Sequence, residues 1–222
     1  MKGLIIHIGE YFKPSIIDVK RPYEYEIRYA KFDEDGKATP KGDLHIDPEF
    51  EMFTYGDHPW KGAKANLGRL KVGDYIFFNC TFLEKPSGEK TCYIVGYFKL
   101  KEIMTAEEIL RKHVENKKPY CNNEHVKYAI EHGTEAGTIF IGDPEESKRL
   151  RIPLKQDREL VKRLDLKDRH GNSVADQFDR KKDKFGRLMS EIEIINIYTR
   201  NPKIFNEKQV EILLEEIRKL KA

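Results

Sequence analysis

The segment HIDPEFEMFTYGDHPWKG, residues 45–62, holds four carboxylates, two histidines, four aromatics and the chain's one tryptophan. Three chemistries are open to such a stretch. In extended chain, Asp47, Glu49 and Glu51 stand at i, i+2 and i+4 on one face. Three carboxylates so placed repel one another unless solvent, cations or a metal separates them. With Asp57 and His58 the set becomes the oxygen-rich kind that suits Mg²⁺, and such an ion can activate water or orient a phosphate. Read this way, the chain is a metal-dependent nuclease or a nucleotide- or base-modifying enzyme using Asp47, Glu49 and Asp57. The aromatics suggest a second chemistry. Tyr55 and Trp60 can stack on a nucleobase, worth about 1–3 kcal/mol per base. Thr54, Asp57 and Asn66 can then read the base edge, while Lys61, Lys64 and Arg69 neutralise flanking phosphates. The third possibility is an ordinary loop whose Phe50 and Phe53 pack on a core.

Other chemistry-bearing residues lie downstream. GDPEESKRL (142–150) reads as a turn followed by a helix start, where Ser147, Lys148 and Arg149 can hold a phosphate, with Arg151 just beyond. Residues 148–170 carry nine Lys/Arg against four Asp/Glu, and RKKDKFGR follows at 180–187. The chain's net charge of +3 is small, so this local excess, not the total, is what suggests a polyanionic partner. A solvated helix surface explains the same excess. His113, Cys121, His125 and His132 match no standard zinc spacing, and Cys121 with His125 at i, i+4 cannot close a tetrahedral site alone. No metal or other cofactor is assigned, Mg²⁺ entering only under the enzyme reading. There is no G-x-S-x-G elbow, P-loop or dinucleotide fingerprint, so acyl transfer and nucleoside-triphosphate chemistry have no foothold.

These residues need elements to position them. GLIIHI (3–8) and YEYEIRYAKF (23–32) read as strands, YIFFNCTFL (75–83) and TCYIVGYFKLKEI (91–103) as an antiparallel hairpin, and GTIFIG (137–142) as a short strand. Gly73 and Asp74 form a turn that launches the first hairpin strand, and Gly96 inside the second marks a bulge or a close backbone approach. Thr105 with Glu108 and Asn206 with Gln209 are capping boxes, and Asn122 or Asn123 can cap EHVKYAIEH. Val210, Leu213, Leu214, Ile217 and Leu220 line one helical face, so the C-terminal helix docks on the rest. RELVKRL and SVADQFDRKK are weaker helices, and the isoleucines of SEIEIINIYT (190–199) favour a strand.

The chain is 39% apolar and 36% charged, with no apolar run long enough to cross a bilayer and no leader-like start. Its three cysteines form no CxxC pair or even framework. A cytoplasmic protein without membrane partners is expected.

GAKANLGRLKVGDYIFFNCTF and YIVGYFKLKEI together resemble the PUA-like class of barrels that includes EVE and ASCH domains. HIDPEFEMFTYGD, LKVGDYIFFNCTF and GDPEESKRLRIPL more specifically resemble the nucleotide-modification-associated domain family of the third type, although FFNCTF stands where FYAGL is typical. The resemblance covers about His45 to Leu154. It implies an α+β fold: a PUA-like mixed β-barrel with inserted helices and a helical C-terminal extension. The expected division is a core over 1–154 and a basic, mostly helical part over 155–222 packed on it. The implied function is nucleic-acid binding, DNA being the favoured polymer, with recognition of a modified or flipped base in DNA modification or defence.

Overall fold

In the computed structural model, residues 1–9, 13–33, 37–57, 62–105, 107–111, 123–132, 137–168, 170–199 and 204–220 are described. The side chains of 62–64, 129, 132 and 196–199 are outside that description.

A long hairpin organises the molecule. β7 (Tyr75–Lys85) and β8 (Lys90–Thr105) pair antiparallel from Tyr75↔Lys99 to Leu83↔Lys90. β7's other edge is shared by two parallel strands, β1 (Gly3–Ile8) along its first half and β2 (Ser15–Asp18) along its second. β8 is shared in the same manner. β10 (Lys148–Lys155) pairs with its first half and β9 (Thr138–Gly142) with its second. β6 (Thr54–Asp57) pairs with β9 and ends the sheet on one side; β3 (Tyr25–Glu26), on β2, ends it on the other. β4 (Lys31–Phe32) and β5 (Asp43–Leu44) form a separate two-stranded ribbon. The eight-stranded mixed sheet curls into a half-barrel, so the chain is α+β as expected.

Side-chain alternation divides the core by face. Leu4, Ile6, Ile8, Ile76, Phe78, Phe82, Val95, Phe98 and Leu100 fill the concave side. Ile5, Phe77, Ile94, Leu150 and Leu154 point to the convex side, covered by α3 (Arg158–Arg163) and α5 (Glu207–Lys219). A bulge in β8 makes one strand serve both faces through a bend: Phe78 pairs with Gly96 but Asn79 with Ile94, so the inward residues run Tyr93, Val95, then Phe98. Gly96 adjoins the bulge, whose skipped residue is Val95, and is also the close approach that its position suggested. A Cβ there would strike the ring of Phe50 and sit 2.7 Å from the Lys148 carbonyl oxygen.

The capping boxes hold. Asn206 accepts from the Gln209 amide and Gln209 from that of Asn206, both at 3.0 Å, and α5 buries Val210, Leu213 and Ile217 against the sheet. Thr105 and Glu108 exchange the same pair of bonds before the helical residues 107–111 (α1).

Four expectations need correction. SEIEIINIYT is not a strand: residues Glu191–Thr199 form α4. Ser190 and Glu193 close a capping box at its start, which overrides the β preference of the isoleucines, while Ile194 and Ile195 are buried beside Val161, Val174 and Phe178. GDPEESKRL leads into β10, not a helix; its Gly-Asp-Pro turn closes through the Ser147 amide donating to the Asp143 carbonyl at 2.7 Å. YEYEIRYAKF keeps only the two-residue strands β3 and β4, and SVADQFDRKK only a 3-10 turn over Ala175–Gln177.

No helix among the described residues is long and apolar enough to span a membrane.

Candidate functional site

The acid-rich stretch splits into parts with different surroundings. Residues 49–54 form a tight loop in which Glu49 and Thr54 exchange backbone bonds of 2.9 and 3.0 Å. The Glu49 carboxylate accepts from the Glu51 amide at 2.5 Å and the Met52 amide at 2.9 Å. It therefore shapes its own loop, and the chain is not extended from Asp47 through Glu51 as the one-face arrangement required. Phe53 sits at φ +53 within this loop, and both Phe50 and Phe53 pack edge-on against Phe98, as the ordinary-loop reading held for these two rings.

Asp47 belongs to another group. Its side chain is 4% exposed. The Gly56 amide donates to both of its oxygens at 3.2 Å, and Asn123 Nδ2 donates to Oδ1 at 3.3 Å. His125 Nε2 lies 3.5 Å from Oδ2. The ring of His45 meets that of His125 edge-on, with centroids 5.1 Å apart. The ligating atoms of His45, Asp47 and His125 all fall within 4.8 Å of one another.

Each member is positioned by identifiable local structure. Asn123 is 1% exposed and caps α2 (Glu124–His132), accepting from the His125 amide at 3.0 Å while Nδ2 also reaches Thr54 Oγ1 at 3.2 Å. This places His125 in the first turn of α2 over β6. Gly56 permits the contact, because a Cβ there would collide with the His125 ring. Sequence spacing singles out neither His45 nor His125, which matches no standard zinc pattern. The available signals were His-x-Asp at 45–47 and Asn-x-His opening a helix at 123–125.

The other expected residues are placed as follows. Thr54 is buried, its hydroxyl engaged with Asn123. Tyr55 is 2% exposed, packed against Phe78 and Phe140, and its hydroxyl donates to Asp57. With no ring face uncovered, Tyr55 is a core residue and cannot sandwich a base as expected. Asp57 ends β6 opposite Thr138. Asn66 and Arg69 lie on the 3-10 segment Gly62–Arg69, where Arg69 donates to Asn66 Oδ1 at 3.3 Å. Trp60, Lys61 and His58, with His113 and Cys121, lie outside the described residues, as does the Lys64 side chain. Ser147 is buried and its hydroxyl accepts from the Lys99 amide at 3.1 Å, so it is built into the turn and has no helix N-terminus behind it. Lys148 is half-buried in β10.

Arg149 and Arg151 stand out from the basic run. Both are exposed on the same side of β10. Arg149 lies over the ring of Tyr25, 5.5 Å from its centroid, and Arg151 lies over Tyr23 at 5.7 Å. Other basic side chains of the run are held by carboxylates: Arg158 by Asp179 and Glu191, Arg163 by Glu215 and Glu216, Arg187 by Asp183 and Glu193, and Lys155 by Glu84. Among the described residues, neither Arg149 nor Arg151 makes an ion pair. Tyr25 donates to the Leu150 carbonyl at 2.5 Å and so brings the β3 end of the sheet onto β10. Tyr29, pushed up to about 12 chiefly by burial, feels both the Arg149 charge, which opposes the shift, and the Asp47 charge, which adds to it. Arg149 and Asp47 thus both act electrostatically on the same tyrosine.

A curled α+β half-barrel with two tyrosine-stacked arginines and a buried Asp grouped with two histidines is the class that the geometry defines. Residues 20–191 match the family model described as nucleotide modification associated domain 3, and the chain belongs to that family. No curated protein and no solved structure matched it.

Proposed function

We propose that the protein binds nucleic acid, with DNA the favoured polymer, and takes a modified or extruded nucleotide at the half-barrel rim beside Asp47. The observation that carries this reading is the contrast within the basic run. Among the described residues, Arg149 and Arg151 are stacked on tyrosines and make no ion pair, while Arg158, Arg163 and Arg187 are each held by two carboxylates. A guanidinium held flat by an aromatic ring keeps its donors in a fixed plane, which suits phosphate oxygens. Membership of a family associated with nucleotide modification supports the same partner. The curled sheet supports a PUA-like reading of the barrel, and Trp60 remains the aromatic proposed for stacking.

Fluorescence anisotropy with labelled single- and double-stranded oligonucleotides, plain and base-modified, tests the proposal. The double variant Arg149→Glu/Arg151→Glu is expected to lose binding and to flatten the salt dependence by roughly 0.7–0.9 in log–log slope for each phosphate contact removed. Trp60→Ala should weaken binding to the base-modified oligonucleotide more than to the plain one. No binding by the wild type at low salt would reject the reading.

A second reading, an enzyme acting on the nucleotide, is favoured by the pairing of buried Asp47 with His125. It retains Asp47 from the expected Asp47, Glu49 and Asp57 set and replaces the other two with histidines.

A further inference from the structure

We infer that His45, Asp47 and His125 form a binding site for a divalent transition-metal ion, independently of whether the protein binds nucleic acid. The separation of 3.5 Å between Asp47 Oδ2 and His125 Nε2 is too long for a good hydrogen bond. It is close to the spacing of about 3.3 Å between two ligands that share a tetrahedral ion at roughly 2.0–2.1 Å each. The third donor, on His45, lies within the same 4.8 Å cluster. Together they are a two-histidine, one-carboxylate set. Two imidazoles and one carboxylate favour zinc, iron(II), cobalt or manganese, whereas magnesium and calcium prefer oxygen-only sets.

The surroundings are those of a built site. A carboxylate that binds a metal needs its plane fixed by outer hydrogen bonds. Asp47 has them from the Gly56 amide and from Asn123, itself locked by Thr54 and by the cap it provides to α2. Glycine at 56 leaves room for the His125 ring at the strand. The His125 side chain is 22% exposed, so the cluster is reachable from solvent, while Asp47 is almost fully enclosed. Glu49 and Asp57 lie outside this donor set: Glu49 is engaged by its own loop and Asp57 by Tyr55. The oxygen-only set that the enzyme reading alone placed on the acid-rich stretch thereby gives way to a softer one.

The test uses the full chain stripped with a chelator and titrated with Co²⁺ and Zn²⁺, with bound metal measured by emission spectrometry after dialysis. The expected result is uptake of about one equivalent, as a preformed single site requires. Cobalt-bound protein should show visible d–d absorption that Zn²⁺ abolishes and a tenfold excess of Mg²⁺ over Co²⁺ does not. His125→Ala and His45→Ala should each lose the cobalt spectrum. Asn123→Ser should retain it with about 10–100-fold weaker affinity, as loss of an outer hydrogen bond implies. Circular dichroism of every variant checks that the fold survives. His125→Gln is the second variant should His125→Ala unfold; it too should lose the spectrum. Absence of a spectrum in the wild type, or an unchanged spectrum in the folded histidine variants, overturns the site. Oligonucleotide binding, read separately, stands or falls by the arginine variants.

Discussion

The backbone amide of Gly56 donates to both carboxylate oxygens of Asp47, 3.2 Å from each, while the ring of His125 occupies the space where a Cβ at 56 would stand. One residue without a side chain thus fixes an acid and admits a base. Gly56→Ala is expected to destabilise the protein by about 1–3 kcal/mol, the usual cost of overpacking, because either the strand or the imidazole must move. Urea unfolding of the variant against wild type measures it. A midpoint within error of the wild type would show that His125 swings aside freely.

Asn123 holds three things together: the Asp47 carboxylate, the Thr54 hydroxyl and the first turn of α2. Replacing it with Ala leaves Thr54 and the His125 amide without these bonds, and a loss of about 1–3 kcal/mol is expected from the unmade buried bonds. Asn123→Asp keeps the shape and the cap but sets a second carboxylate 3.3 Å from the first. It should be more damaging at pH 7 than its shape predicts and should recover as the pH falls. Thermal melts at pH 7 and pH 4.5 separate the two effects.

Alkaline conditions should weaken the fold. Burial pushes Cys80 up to about 12 and Cys92 up to about 11 from an ordinary value of 9.0. Below pH 9 these thiols are protonated in folded and unfolded chains alike, so the stability tied to them is fully present. Above pH 9 the unfolded chain releases protons that the folded chain retains, and stability falls until the folded thiols ionise near pH 11–12. Denaturant midpoints should decline through this window. Iodoacetamide at pH 8 should leave Cys80 and Cys92 unlabelled in the native protein and label both in urea, as read by peptide mass spectrometry.

The paired and unpaired arginines predict opposite outcomes. Arg158→Glu breaks contacts with Asp179 and Glu191. Being exposed, these pairs should cost about 1 kcal/mol or less, with little change in oligonucleotide affinity. Arg149→Glu should do the reverse, leaving the melting temperature near wild type and weakening binding. Equal losses of affinity in both variants would mean that net charge, and not the rim, attracts the polymer.

The legible parts of the fold were those set by local rules. The Thr105–Glu108 and Asn206–Gln209 boxes, the β7–β8 hairpin and the Gly96 bulge follow from short-range pattern, and all are present. Residues 190–199 misled because alternating Glu and Ile mimic a strand, although Ser190 and Glu193 already spelled out a helix start. The site was half-legible. Asp47 could be picked out as an acid in a rich neighbourhood, but its partners Asn123 and His125 lie more than seventy positions away. Sequence spacing carries no signal for a pair joined by a helix docking on a strand. The basic run misled in a different way: charge is visible in a sequence, whereas its cancellation by Asp179, Glu191 and Glu193 requires coordinates.

β8 lends its first half to β10 and its second half, through β9, to β6. Arg149 therefore stands opposite Gly96, at the bulge, while the strand whose Gly56 amide holds Asp47 is carried by the far half of the same β8.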